Sequence, residues 1–220
     1  IAMGILPMGT ANALAHVLLG FSTKLIPVGV ACDVIITGQV KKIDSAKCND
    51  ALMLLLAGLG FEHKMIASAN REEKDVGGQF AYLQALWQAV SSNKVSILQV
   101  SIDDLPEKTI ETASLVIANA APFTTILAQG GGEPDVNDGL LDITWIPRQQ
   151  DIKNNVLSLA ELALSGLSEQ VNPLQSEHIS AKKVVITAEH ELEYVIDGEV
   201  FHANDIHIEI MPKSLSILTN

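Results

Sequence analysis

Three short runs in this sequence gather groups that chemistry can use. In Gly4-Ile5-Leu6-Pro7-Met8-Gly9-Thr10-Ala11-Asn12 an apolar run meets a Gly-Thr turn and then a helix-forming segment. Backbone N–H groups at such a turn face a phosphate well, and the Thr10 hydroxyl adds a donor. A turn that merely caps a helix has the same residues. Asp135-Val136-Asn137-Asp138-Gly139-Leu140-Leu141-Asp142 places three carboxylates within eight residues around a glycine. Side-chain and carbonyl oxygens there suit Mg²⁺ or Ca²⁺. The spacing is not that of an EF-hand, and a polar hairpin turn has the same composition. Ile196-Asp197-Gly198-Glu199 joins two β-like runs. Asp-Gly is an ordinary hairpin turn, yet a carboxylate held rigidly at a sheet end can take a proton from a hydroxyl nucleophile. Its companion can orient it or share a metal.

The elements that must position these runs follow from periodicity and punctuation. Residues 1–6 read as a strand and 11–19 as a helix, with Thr10 or Asn12 as its cap. Residues 28–37 and 40–46 read as a hairpin through Gly38-Gln39, and 51–61 as an apolar strand containing Gly58 and Gly60. Two helical pieces fill 62–93, broken at Gly77-Gly78, with an apolar stripe through Phe80, Leu83, Leu86, Trp87 and Val90. That stripe suits either packing on the sheet or shelter for an acyl chain. Strands follow at 95–103, 109–119 and 141–146, a helix at 151–166, and strands at 178–189, 192–196, 199–203, 206–210 and 214–218. The Gly130-Gly131-Gly132 run lacks the Lys and Ser/Thr of a P-loop. The expected class is α+β: a short α/β segment, then a mainly antiparallel β-sandwich with helical insertions, the boundary near residues 22–28.

Composition removes several functions. Among 220 residues, 14 Lys and Arg face 26 Asp and Glu, a net charge of −12. Duplex phosphate binding needs a cationic face, so no nucleic-acid partner is expected. Cys32 and Cys48 make no disulfide framework and read as small core residues of a reducing compartment. The six histidines show no metal spacing. The longest apolar stretch, residues 52–61, is too short to span a bilayer, and no signal peptide is visible. The opening strand lacks upstream neighbours, so the chain is expected to be a fragment.

Taken in order, GILPMGTANALA, NDGLLDI and IDGE resemble the diacylglycerol kinase-like lipid kinases, across nearly all of the chain. This superfamily includes bacterial diacylglycerol and phosphatidylglycerol kinases and eukaryotic sphingosine and ceramide kinases. The resemblance implies that 1–27 is the end of a nucleotide-binding domain, whose Gly-Gly-Asp-Gly-Thr loop would lie upstream, and that 28–220 is the β-sandwich domain. It implies ATP at Gly9, Thr10 and Asn12. It implies Asp197 as general base for a lipid hydroxyl, with Glu199 beside it. It implies Mg²⁺ held by the Asp138 side chain and the backbone oxygens of Asp135 and Leu140. Ala13 stands where many bacterial members have Asp, as in sphingosine kinase-like Asn-Ala-Leu. The expected setting is cytoplasmic, peripheral to the inner membrane face, with a lipid substrate and a homodimer among the partners. The 220 residues alone are expected to be inactive. A dinucleotide kinase and a non-catalytic lipid- or nucleotide-sensing module are the rival readings; Asp-Gly-Glu fits the lipid kinases better than the former.

Overall fold

The computed structural model describes residues 1–8, 12–19, 28–60, 96–120, 135–147 and 177–219. The helical pieces expected at 62–93 and 151–166, the triple glycine, and Gly9 and Thr10 lie outside the described residues. Two helices, α1 (Ala13–Leu19) and α2 (Val28–Thr37), precede nine strands among the described residues. These are β1 (Gln39–Cys48), β2 (Ala51–Met53), β3 (Leu56–Gly60), β4 (Ser96–Ile102), β5 (Lys108–Ala118), β6 (Leu141–Pro147), β7 (Glu177–Ala181), β8 (Lys183–Ile196) and β9 (Glu199–Thr219).

All pairings between strands are antiparallel, in the order β2-β1-β9-β8-β3-β5-β6-β7. Both β3 and β4 pair with β5 and with β8, at successive stretches of each, so they share one lane end to end. The expected mainly antiparallel β domain is therefore present, as one hydrogen-bonded sheet. A single core cluster draws Cys48 and Met53 from one edge, Ile143 and Ala181 from the other, and Leu115, Ile186 and Ile208 from between. Edges can share a core with the centre only if the sheet curls over it, the arrangement a sandwich needs. Register shifts at Ile43/Ser45 and at Thr187/Leu192 supply bends.

Three expectations are corrected. Residues 28–37 form α2 and not a strand: Ala31 and Val34, three apart, are the buried pair. One apolar face at helical spacing overrides the β-branched content that reads as strand. Residues 1–6 form no strand; Met3 alone bridges Ile217 in parallel, its N–H donating to Ser216 O at 2.9 Å. The runs expected at 199–203, 206–210 and 214–218 are one strand, β9.

At the α2–β1 junction Gly38 is forced by crowding. A Cβ there would lie 2.3 Å from Val34 O and 2.6 Å from Thr219 O. Both atoms are backbone and cannot step aside. Gly38→Ala is expected to destabilise the protein by about 3 kcal/mol, the upper end for overpacking. Urea unfolding checks this; a loss under about 0.5 kcal/mol would show that α2 can shift off β9 freely.

Candidate functional site

The hairpin between β8 and β9 has only two residues, Asp197 and Gly198, between the paired Ile196 and Glu199. Their φ values of +48° and +103° make both central residues left-handed, as a tight hairpin following the sheet twist requires. Gly198 takes this conformation without steric cost, whereas Asp197 takes it with a compensation. Its Oδ2 accepts from Leu54 N at 2.6 Å, and its Oδ1 from Leu55 N and Leu56 N, both at 2.9 Å. Its own N–H donates to Leu56 O at 3.0 Å. The carboxylate thus fills the break between β2 and β3, which sequence periodicity reads as one unbroken strand.

A carboxylate offers about four acceptor positions. Three are used, which leaves one on Oδ2 in a fixed orientation. The residue as a whole stays exposed while its carboxyl turns toward the sheet end. Desolvation there pushes its pKa up from the ordinary 3.8, and the three amides pull the other way. Glu199 is exposed at the first position of β9.

The loop before β6 contains two Asx turns. Asp135 Oδ1 accepts from Asn137 N at 3.0 Å, and Asp138 Oδ1 from Leu140 N at 2.9 Å. Asp138 is pushed above its ordinary 3.8 by desolvation first and by the charges of Asp142, Asp135 and Asp44, against the Leu140 amide. Among the described residues no three His, Cys, Asp or Glu side chains converge as a metal cluster. The donor types there still fit Mg²⁺: they are hard oxygens, and the charges of Asp142, Asp135 and Asp44 acting on Asp138 are what a cation would relieve. Mg²⁺ commonly takes one or two carboxylates and fills the remainder with water. Asp142, the second residue of β6, accepts from Ser180 Oγ at 3.1 Å and pairs with His178 Nε2 at 2.9 Å.

Two residues that sequence reasoning missed hold these pieces together. Asp44 is fully buried at the β1 bulge, and its carboxylate accepts from Gly139 N and Lys213 N, both at 2.7 Å. Its N–H donates to Val136 O at 2.7 Å. Asn119, 1% exposed beyond β5, donates from Nδ2 to Leu54 O at 2.8 Å and to Asp44 O at 3.3 Å. The only sequence signal for Asp44 was a lone acid between Ile43 and Ser45, and for Asn119 an amide ending an apolar strand. Each is weak without a partner in view.

The first motif reaches the same end of the sheet. Asn12, at φ +47°, precedes α1, and its carbonyl accepts the first helical bond from His16 N at 3.0 Å. A small core joins Ile43, Ala120, Val136 and Ile217 with Ile5, Val17, Leu18 and Leu55. The segment around the first motif, the Asp135–Leu140 loop and the strand break under Asp197 therefore pack together.

Cys48 lies under this region, hydrogen-bonded to the Tyr194 hydroxyl and within electrostatic reach of Asp197. Burial first, and then the Asp197 charge, push its thiol from the ordinary 9.0 to about 12. The core role expected for it is borne out, whereas Cys32 on α2 is only partly buried. Since thiolate is the reactive form, the raised pKa and the burial of Cys48 together should make it react far more slowly than a free thiol near pH 8. A chromogenic disulfide reagent is expected to count one thiol in the native protein and two in denaturant. Two fast native thiols would contradict this packing.

Among the described residues no helix is long and apolar enough to cross a membrane.

Comparison with known proteins agrees with this architecture. Residues 57–219 match the family model described as the YegS C-terminal NAD kinase beta sandwich-like domain. An uncharacterized protein of Synechocystis sp. is 38% identical over 220 residues, covering 99% of this chain and 49% of that protein. A protein of Staphylococcus epidermidis named "Putative lipid kinase" is 23% identical over 228 residues, covering 99% of this chain and 68% of its own. A crystal structure described as a "putative diacylglycerol kinase" from Bacillus anthracis superposes with a TM-score of 0.71 at 21% identity. That match takes in 100% of this chain and 69% of the other, and at such identity it speaks for the fold. The chain spans about half of the first relative and about two thirds of the second.

Proposed function

This chain belongs to the family of YegS C-terminal NAD kinase beta sandwich-like domains, and from that premise we propose that it serves an ATP-dependent lipid kinase. In this reading the full-length protein transfers the γ-phosphate of ATP to a lipid hydroxyl at a membrane surface. The acceptor is diacylglycerol-, phosphatidylglycerol- or sphingoid-like. The observation that carries the proposal is the Asp197 carboxylate, fixed by three amides with one acceptor position left on Oδ2. That position takes the hydroxyl proton as the lipid oxygen attacks the γ-phosphorus. The new O–P bond forms while the bond to the ADP oxygen breaks. Phosphoryl transfer asks mainly for positioning and charge stabilisation, and a desolvated carboxylate is the stronger base.

Glu199, two residues on, would orient the hydroxyl or assist with a cation. Gly9, Thr10 and Asn12 would meet the ATP phosphates at the start of α1. Asp138, with the main-chain oxygens of Asp135 and Leu140, would hold Mg²⁺, whose charge would offset the acidic loop.

The test uses the full-length protein with γ-labelled ATP, Mg²⁺ and mixed micelles of diacylglycerol, phosphatidylglycerol, sphingosine or ceramide. Labelled lipid that vanishes in Asp197→Asn is the expected result. A folded protein that labels no lipid, or labels a nicotinamide dinucleotide instead, would overturn the reading.

A further inference from the structure

Asn119 and Asp44 connect two loops that share no direct bond among the described contacts. On one side, the Asp44 carboxylate takes the amides of Gly139 and Lys213. On the other, the Leu54, Leu55 and Leu56 amides end on Asp197. Asn119 spans the gap through Nδ2, to Asp44 O and Leu54 O. The N–H groups of Asn119 and Ala120 add 2.8 and 3.0 Å bonds to Leu55 O. One hydrogen-bonded path therefore runs from the Asp135–Leu140 loop through Asp44, Asn119 and the Leu54–Leu56 segment to Asp197.

The side chain at 119 is specified closely. Two carbonyls from separate elements must be met by donors on one short group. Serine has one donor, aspartate has none when ionised, and glutamine is longer by a methylene. Turning the amide over would set its oxygen against two carbonyl oxygens, so the orientation is determined by its partners. Neither Asp44, at 0% exposure, nor Asn119, at 1%, can touch a substrate.

We propose that Asn119, acting through Asp44, is a positioning residue that holds the 135–140 loop and the Asp197 carboxylate in one fixed relative placement. Its catalytic consequence rests on the lipid kinase reading above; its structural consequence does not. Loss of Asn119 frees the Leu54–Leu55 segment to shift, and with it the one open position on Asp197 Oδ2. A misplacement near 1 Å at a reacting group costs about 100-fold in rate.

The experiment uses the full-length protein with Asn119→Ala, and Asn119→Ser as a second variant should the first not fold. Asn119→Ala is expected to lower kcat by about 10- to 100-fold while the KM values for ATP and lipid stay within about twofold. Asn119→Ser, which keeps one donor, should recover part of that loss. Independently of activity, Asp44→Asn and Asp197→Asn are combined in urea unfolding. With Asn119 present their effects should fail to multiply by about threefold or more in the unfolding constant; in the Asn119 variant they should multiply. Independent effects of Asp44 and Asp197 in the presence of Asn119 would overturn the proposal. So would an active, folded Asn119→Ala enzyme with unchanged kcat. A wild type that labels no lipid but shows the coupling would remove the kinase reading and support the positioning role.

Discussion

Asp197→Asn in the full-length protein is expected to lower lipid phosphorylation by about 10²- to 10⁴-fold, the usual contribution of a positioned general base. The amide is nearly isosteric, so KM for ATP and lipid should move little. The substitution also disturbs the clamp, because an amide NH₂ cannot accept from the Leu54–Leu56 N–H groups. Asn retains one oxygen for them and should cost less stability than Ala. Asp197→Ala, which leaves three amides without the carboxylate, should cost about 2–4 kcal/mol, since two of those residues are only half-buried and water can replace part of the loss. The two roles separate in measurement. If Asp197 only braces the strand break, activity in each variant should follow the folded fraction. If it is the base, the folded Asp197→Asn protein should remain slow at a temperature where it is fully native. Wild-type-like turnover by that variant would remove Asp197 from the chemistry.

The pH dependence follows from the direction of the shift. Burial raises the Asp197 pKa above 3.8, so the folded protein holds that proton more tightly than the unfolded chain. This group favours folding more as pH falls through the raised folded value toward 3.8, and it opposes folding above that window. In the proposed kinase reading activity runs the other way, because a general base must be ionised. The acid limb of kcat/KM should therefore lie above the ordinary carboxylate range and disappear in Asp197→Asn. Asp138, raised for a similar reason, adds to the stability trend in the same direction.

The sequence made the strand content and both acidic turns readable because each is written in local chemistry. The apolar run Leu115–Ala118 marked β5, the alternating Leu141, Ile143 and Trp145 marked β6, and Asp-Gly marked the β8–β9 hairpin. What it could not show was where the turn carboxylate goes. Residues 51–61 read as one apolar strand because nothing local marks a break at Leu54-Leu55. The break exists because Asp197, more than 140 residues away in sequence, supplies acceptors for amides that leave the ladder. The α2 miss has the opposite origin. Its Val and Ile residues favour a strand locally, but the surface available to bury is one face of a helix, at Ala31 and Val34. Asp44 escaped notice since a single acid between Ile43 and Ser45 looks like an outward strand position until the bulge turns four successive residues inward.

That bulge leads to a second large expected stability effect. Asp44→Ala should destabilise the protein by about 2–4 kcal/mol, or about 30- to 1000-fold in the unfolding constant. The wild-type carboxylate is fully buried, and among the described residues its charge is met by amide dipoles with no ion pair. Those two short bonds also hold backbone that would otherwise relax. Gly139 and Lys213 both have left-handed φ, +73° and +52°, and the conformation is costly for a lysine. Removing the carboxylate leaves two partly buried N–H groups unpaired and releases the strain at Lys213, so the 135–140 loop and the β9 bend should loosen together. Asp44→Asn keeps one acceptor and should fall between wild type and Ala. The expected signature is a lowered urea midpoint with an unchanged m-value, plus faster amide exchange confined to residues 135–140 and 211–215. An Asp44→Ala protein within about 0.5 kcal/mol of wild type would mean that water replaces the carboxylate, and that the loop is held by Val136 in the small core instead.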